Sequence, residues 1–125
     1  MQGVLRGADA EFRGVSTDTR AIAAGQLFVA LRGQRFDAHD MLDAAAQAGA
    51  AGVVVMREAA VRTPSIRVGD TRTALGDLAR DWRRRFRLPV IAVTGSNGKT
   101  TTKEMIAAIL RTQGPTLATE GNLNN

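Results

Sequence analysis

Length, composition and charge limit the kinds of protein that this sequence can encode. With 125 residues, of which 44% are hydrophobic, the chain can form one ordinary domain with a proper core, or one domain and part of another. The absence of cysteine excludes disulfides and thiolate metal sites, and no apolar stretch approaches the roughly 20 residues of a membrane span. Because the amino end also lacks the apolar core of a signal peptide, we expect a cytoplasmic protein without a membrane partner. The formal net charge of +5 favours anionic partners.

A cluster of polar residues follows the first predicted strand. Residues 11–15 alternate weakly and predict a short strand. The cluster after it combines hydroxyls, one carboxylate and one guanidinium: Ser16, Thr17, Asp18, Thr19 and Arg20. Such a cluster forms either a capped turn or a polar site for a ring edge and a phosphate. The chemistry of the residues alone favours the turn.

The loop after the second predicted strand lies where ligands bind in open α/β folds. Residues 26–31 predict a strand that is buried on at least one face, and residues 32–37 follow its carboxyl end. Phe36 is the aromatic residue of this loop. It either stacks on a planar ligand or covers the core, and a lone aromatic in a loop more often covers the core.

Alternating helix and strand patterns continue to residue 87 and predict an α/β domain. Residues 39–48 predict a helix that stops at Gly49, residues 51–56 and 65–68 predict strands, and Asp70 is a suitable N-cap for a helix over residues 71–86. The single histidine, His39, stands near a predicted helix start. That position is more typical of a capping or packing residue than of a catalyst or a metal ligand.

The arginine-rich helix over residues 71–86 raises the question of nucleic-acid binding. Its apolar residues recur at spacings of three and four and form one stripe: Leu75, Leu78, Ala79, Trp82 and Phe86. We therefore expect both aromatic side chains to be buried and the arginines to lie on a solvated face. Because base stacking needs an exposed aromatic, this pattern argues against a nucleic-acid partner.

A second unit begins after the junction Leu88-Pro89. Residues 90–93 predict a strand, residues 100–112 a helix and residues 116–119 a short second strand, which together make one βαβ crossover. One crossover with a single helix cannot bury both faces of a sheet. The sequence therefore predicts an α/β domain over residues 1–88 and, over residues 89–125, the truncated start of a second, larger domain.

The turn between that strand and helix has the composition of a phosphate-binding loop. The stretch reads Thr94-Gly95-Ser96-Asn97-Gly98-Lys99-Thr100-Thr101. Its glycines let the backbone curl and direct N–H groups at phosphate oxygens, and the start of the helix adds further unpaired donors. Lys99 supplies a compact positive charge, and Thr100 can offer its hydroxyl to Mg²⁺. The spacing is compact, with two residues between the glycines, and a ligand-free glycine-rich turn is the alternative.

This compact loop resembles that of the Mur ligases and of the related folylpolyglutamate synthetases. Three further stretches resemble one branch of the Mur ligases, and they cover residues 16–20, 33–40 and 120–125. The resemblance implies a P-loop ATPase domain and an ATP- and Mg²⁺-dependent enzyme of peptidoglycan synthesis, and hence of cell-wall formation, cell shape and cell division. That enzyme joins D-alanyl-D-alanine to UDP-N-acetylmuramoyl-tripeptide through an acyl phosphate.

The resemblance also implies roles for particular residues. ATP would be held by residues 94–101 together with Asn124 and Asn125, with Lys99 and Thr100 as catalytic residues and Thr100 as the metal ligand. The UDP group of the substrate would be held by Asp18, Thr19, Arg20, Gly33, Gln34, Arg35, Phe36 and Asp37.

Several parts of the family's machinery have no counterpart in these residues. A second metal-binding carboxylate, a carbamylated lysine, the adenine contacts and a dipeptide-binding domain would lie beyond residue 125. We therefore expect a monomer that binds substrate but performs no ligase turnover alone. Two alternatives stay open: a sibling Mur ligase that adds the third peptide residue, and a free-standing nucleotide- or RNA-binding module.

Overall fold

The structure, a computed structural model, describes residues 3–34 and 36–120 of the chain. The chain forms two compact units, Met1–Phe86 and Arg87–Asn125. In chain order the elements are β1 (Gly3–Arg6), β2 (Val15–Ser16), β3 (Leu27–Val29), a 3₁₀ turn (Ala38–Met41), α1 (Leu42–Gln47), β4 (Gly52–Val55), β5 (Ser65–Val68), α2 (Thr71–Arg84) and α3 (Lys99–Arg111). The predicted mixed α/β class is confirmed.

The first unit is built on a five-stranded sheet with the order β1-β5-β4-β3-β2. Strands β2 to β5 run parallel to their neighbours, and β1 pairs antiparallel with β5 along one edge, with Gly3 opposite Val68. Strand β1 was not predicted. All four of its residues are exposed, so they carry no alternation of buried and exposed positions from which a strand could be recognised.

Both faces of the central strands are buried, which explains their β-branched apolar sequences. Alternate side chains point to opposite faces, so Phe28 and Val53 join a cluster with Leu42 and Ala45 of α1. On the other face, Leu27, Val29, Val54 and Val68 pack with Ala74 of α2. A parallel sheet covered on both sides is expected to have such continuous hydrophobic strands.

Helix α2 begins as predicted but overruns the sheet. The Asp70 carboxylate caps it by accepting a hydrogen bond from the Thr73 N–H, and the buried Thr71 hydroxyl donates to the Ala30 carbonyl at 2.8 Å. The 14-residue helix is about 21 Å long, whereas a four-residue strand spans only about 13 Å. Helix residues as far along as Leu78 pack against the sheet cluster, whereas Trp82, in the last turn, is exposed.

The prediction that Trp82 and Phe86 are buried was wrong, because Trp82 lies in the last turn of α2 and Phe86 lies just beyond the end of the helix. Their exposed fractions are 59% and 42%. The two rings contact each other edge to face with centroids 5.5 Å apart, and the Arg85 guanidinium lies 5.2 Å from the Trp82 centroid. The sequence argument against nucleic-acid binding thereby loses its premise, since an exposed aromatic lies beside an arginine.

The second unit contains α3 but, over residues 87–120, no paired strand. Strands were predicted over residues 90–93 and 116–119; Val90, Ile91 and Leu117 are instead exposed, Leu117 completely. A strand forms only when a neighbour accepts and donates its backbone hydrogen bonds, and these segments have no such neighbour. Among the described residues, no helix is long and apolar enough to cross a membrane.

Candidate functional site

Two predicted binding segments leave neighbouring strands at the same edge of the sheet. Strands β2 and β3 are paired in parallel, with Val15 opposite Leu27, so their carboxyl ends lie side by side. Residues 17–20 follow β2, and residues 31–37 follow β3. The topology therefore brings the polar cluster and the loop of residues 32–37, called the predicted uridine loop below, to one edge of the sheet. Ligands bind at this edge in open α/β sheets.

The polar cluster forms a tight turn closed by an ion pair. The Asp18 carboxylate accepts hydrogen bonds from the Arg20 backbone N–H at 2.9 Å, from Nε at 3.0 Å and from one terminal nitrogen at 2.8 Å. The Ser16 hydroxyl donates to the Asp18 carbonyl at 3.0 Å. The Arg20 side chain is nonetheless 87% exposed, so the rest of its guanidinium faces solvent. The turn that residue chemistry favoured is present, and it presents a fixed cation.

The ion pair leads to a prediction for the titration of Asp18. Side-chain hydrogen bonds from Arg20, and then the backbone bond, lower the pKa of Asp18 from its ordinary 3.8 to about 2. The pair therefore stabilises the turn fully above pH ~4 and loses this effect as the pH falls through about 2. We expect the Asp18 carboxyl carbon to titrate near 2 in an NMR experiment. In the Arg20→Ala variant its pKa is expected to rise toward 3.8 but to stay below it, because the backbone N–H of residue 20 still donates to the carboxylate.

The matched control for this titration is Arg13→Ala, which removes an exposed cation before β2. This variant is expected to leave the pKa of Asp18 lowered, as in the unsubstituted chain. Equal shifts in both variants would show that general charge, rather than the Arg20 hydrogen bonds, depresses the pKa.

The predicted uridine loop is a short hairpin. Arg32 and Asp37 form an antiparallel bridge, and the Gly33 N–H donates to the Phe36 carbonyl at 2.8 Å. Phe36 is 58% exposed, so it does not cover the core. Its ring is available for stacking at the tip of the hairpin, beside Gly33 and Gln34. Arg35, predicted to line the same site, lies outside the described residues.

Asp37 and His39 secure the base of this hairpin. The Asp37 Oδ1 accepts from the His39 backbone N–H at 2.9 Å and lies 2.5 Å from its Nδ1. The Met56 N–H, just after β4, donates to the His39 Nε2 at 2.9 Å. Backbone and side-chain hydrogen bonds from His39 lower the pKa of Asp37. His39 is thus a buried packing residue, one of the two roles predicted for it, and Asp37 is the residue that caps the 3₁₀ turn. Met56, the partner of His39, had no recognisable signal in the sequence.

The phosphate-binding loop has the backbone that its glycines predict. Gly95 and Gly98 have φ angles of 147° and 72°, which favour glycine, and α3 begins at Lys99. Gly98 provides no side-chain cap, so no capping side chain occupies the N–H groups of the first turn. The Lys99 Nζ donates to the Gly95 carbonyl at 2.6 Å and so lies across the loop. These groups form a cationic donor set suited to phosphate.

The second lysine of the chain is engaged elsewhere. The Lys103 ammonium donates to the Thr119 carbonyl and pairs with the Glu104 carboxylate at 2.8 Å. Lys99, whose ammonium lies across the phosphate-binding loop and pairs with no carboxylate among the described residues, is therefore the lysine suited to a phosphate. Thr100 and Thr101 are exposed in the first turn of α3, and the Thr100 hydroxyl suits Mg²⁺, which completes its shell with phosphates and water. No group of three or more His, Asp or Glu residues within the described segments could hold a metal.

Two family models match most of the chain. The model of the Mur ligase family, catalytic domain, matches residues 11–83, which is more than half of the sequence, and that of the Mur ligase middle domain matches residues 93–125. The chain belongs to the Mur ligase family. The sequence-based family prediction is confirmed, and membership argues against the free-standing RNA-binding alternative.

Individual Mur ligases match over almost the whole chain. The UDP-N-acetylmuramoyl-tripeptide–D-alanyl-D-alanine ligase of Escherichia coli K12 is 50% identical over 125 residues, all of this chain and 28% of that protein. A crystal structure of MurF from Acinetobacter baumannii superposes with a TM-score of 0.90 at 42% identity, covering 98% of this chain and 28% of that one. MurF from Thermotoga maritima, in complex with ADP, has a TM-score of 0.81 at 35% identity, covering 90% and 26%. This chain thus spans about a quarter of these relatives.

Sibling ligases also match this Mur ligase. The UDP-N-acetylmuramoyl-L-alanyl-D-glutamate–2,6-diaminopimelate ligase of Aquifex aeolicus is 41% identical over 104 residues, which is 82% of this chain and 22% of that protein.

Asn124 and Asn125, which were predicted to contact ATP, lie outside the described residues.

Proposed function

We propose that this chain supplies the UDP-binding domain and the phosphate loop of an ATP-dependent ligase that joins D-alanyl-D-alanine to UDP-N-acetylmuramoyl-tripeptide. The observation that carries the proposal is the 50% identity to such a ligase over all 125 residues, which includes the loop across which Lys99 lies. Residues 1–88 are the proposed substrate domain, and residues 89–125 the start of the ATP-binding domain. A monomer in the cytoplasm remains a prediction from the sequence.

In the proposed reaction the tripeptide carboxylate attacks the γ-phosphorus of ATP and ADP leaves. The amine of D-alanyl-D-alanine then attacks the carboxyl carbon of the resulting acyl phosphate, and inorganic phosphate leaves as the amide forms. Lys99 and the N–H groups at the start of α3 hold the phosphates and stabilise charge on the transferring phosphoryl group. Thr100 would hold Mg²⁺, which neutralises phosphate charge when it is bound.

The UDP end of the substrate is proposed to bind at the carboxyl edge of β2 and β3. Arg20, held by Asp18 and largely exposed, suits the diphosphate. Phe36, exposed at the hairpin tip, suits stacking on the uracil ring. Thr19, Gly33, Gln34 and Arg35 complete the proposed substrate contacts, and Asn124 and Asn125 the proposed ATP contacts.

Calorimetric titration of the chain with UDP-N-acetylmuramoyl-tripeptide, UMP and Mg-ATP tests this proposal. We expect both uridine ligands to bind. Arg20→Ala is expected to lower the affinity for UDP-N-acetylmuramoyl-tripeptide at least about tenfold, because a charge-assisted hydrogen bond contributes roughly 1.5–3 kcal/mol. Arg13→Ala, at an exposed position before β2, is expected to bind normally.

Three outcomes have different meanings when the titration is extended to UDP-N-acetylmuramoyl-dipeptide and to a polynucleotide. Tight Mg-ATP binding without any uridine response would contradict the uridine site. Tighter binding of UDP-N-acetylmuramoyl-dipeptide than of UDP-N-acetylmuramoyl-tripeptide would support the sibling ligase that adds the third peptide residue. Salt-dependent binding of a polynucleotide, abolished by Trp82→Ala, would instead assign the exposed aromatic on α2 to nucleic acid.

A further inference from the structure

His39 makes a buried polar connection between two loops at the carboxyl edge of the sheet. Its side chain is 1% exposed, and both ring nitrogens are hydrogen-bonded, Nδ1 to Asp37 and Nε2 to the Met56 N–H. A backbone N–H can only donate, so Nε2 carries no proton. Nδ1 therefore carries the proton of the neutral ring and donates it to the Asp37 carboxylate. One tautomer satisfies both partners.

The connection ends at the hairpin that carries the proposed uridine contacts. Asp37 and Arg32 form an antiparallel backbone bridge at the base of this hairpin. The Ala38 N–H donates to the Leu31 carbonyl at 3.0 Å. The Arg57 guanidinium, next to Met56, adds a second link by donating to the Asp40 carboxylate at 2.9 Å. The segment just after β4 thus holds the base of the hairpin, at Asp37 and Asp40, from one side.

We propose that His39 is a positioning residue for UDP recognition, which it serves by tying the hairpin of residues 32–37 to the end of β4 through Asp37 and Met56. This inference rests on the proposed function. It also gives Asp37, which was predicted to contact the substrate, the role of an anchor. Asp37 Oδ1 already accepts two N–H groups of His39, and Oδ2 lies 4.0 Å from the Arg57 guanidinium. Asp37 therefore anchors the hairpin rather than contacting the substrate.

Two near-isosteric variants of His39 separate its two hydrogen bonds. Glutamine places an amide oxygen near the position of Nε2 and keeps an acceptor for the Met56 N–H, while the backbone N–H of residue 39 still donates to Asp37. Asparagine reaches only the position of Nδ1, so it keeps the Asp37 bond and leaves the Met56 N–H unpaired. We expect His39→Asn to bind UDP about tenfold more weakly, and His39→Gln to restore most of the lost affinity.

Amide hydrogen exchange of the 125-residue chain distinguishes positioning from general loss of stability. In His39→Asn, exchange of the Gly33 N–H, which bonds to Phe36, is expected to accelerate. Exchange of the Ala30 N–H, which bonds to Val54 between the central strands, is expected to stay slow. Faster exchange at both sites, with affinity lost in proportion to the unfolded fraction, would assign His39 a purely structural role and overturn the inference.

The affinities separate this inference from the proposed function. If the unsubstituted chain binds UDP and Arg20→Ala weakens it, but His39→Asn binds normally, only the positioning role is overturned. The same follows if the Asn and Gln variants are weakened equally. If the unsubstituted chain binds no UDP, both the uridine site and the role of His39 are overturned.

Discussion

Replacing Lys99 with Met is expected to lower ADP formation by about 100- to 1,000-fold in a hybrid ligase, in line with the loss of one preorganised donor to a developing anion. The hybrid carries this chain in place of the matching 28% of the Escherichia coli relative, to which it is 50% identical. Such an enzyme contains the remaining domains of that ligase. Its turnover therefore reports on the phosphate loop of this chain.

The size of the effect follows from the position of the Lys99 ammonium. Its Nζ lies 2.6 Å from the Gly95 carbonyl, across a loop whose glycines have positive φ angles. No other lysine is available, because Lys103 is bonded to Thr119 and Glu104. Arginine is not expected to replace Lys99, since its planar fork is too bulky to act as a point charge in so tight a loop.

A matched cation on the same helix provides the control. Arg111, exposed in the last turn of α3, is changed to Met with the same loss of charge. The rate of ADP formation, followed by a coupled assay with UDP-N-acetylmuramoyl-tripeptide and D-alanyl-D-alanine, is expected to stay near that of the parent hybrid. Equal losses in both variants, or a fully active Lys99→Arg hybrid, would contradict the role given to Lys99.

Replacing Phe28 with Ala is expected to destabilise the first unit by about 3–5 kcal/mol. Phe28 is completely buried in β3, in the cluster with Val53, Leu42 and Ala45. Truncation leaves a cavity between the sheet and α1 that a close-packed interior fills only in part. Because small domains are stable by about 5–15 kcal/mol, this one change removes a large share of the total and lowers the urea midpoint measured by circular dichroism.

The same substitution at an exposed phenylalanine controls for the chemistry of the change. Phe12, in the segment before β2, is 42% exposed, and Phe12→Ala is expected to shift the stability by at most roughly 0.5 kcal/mol. If both variants lose equal stability, the cluster beneath α1 is not the dominant core of this unit.

Much of this protein follows from local signals in the sequence. Residues 27–29 and 52–55 form apolar runs because both faces of their strands are covered, and such runs predict buried strands. The Asp70 cap, the stop at Gly49 (φ 88°) and the loop before α3 each depend on a few adjacent residues. The family follows from the same loop and from residues 16–20 and 33–40, since the residues of each motif are contiguous in the chain.

Other features depend on contacts between distant parts of the chain, and no local pattern encodes them. Strand β1 exists because its exposed residues pair with β5, and residues 90–93 form no strand because they lack such a partner. Trp82 continues the apolar stripe of α2, yet it is exposed, whereas Ala74, Leu75 and Leu78 of the same helix pack with the sheet. His39 acquires its role from a Met56 N–H that lies 17 residues away. Local conformation was therefore set by neighbouring residues, whereas pairing, burial and anchoring were set by which surfaces the folded chain brings together.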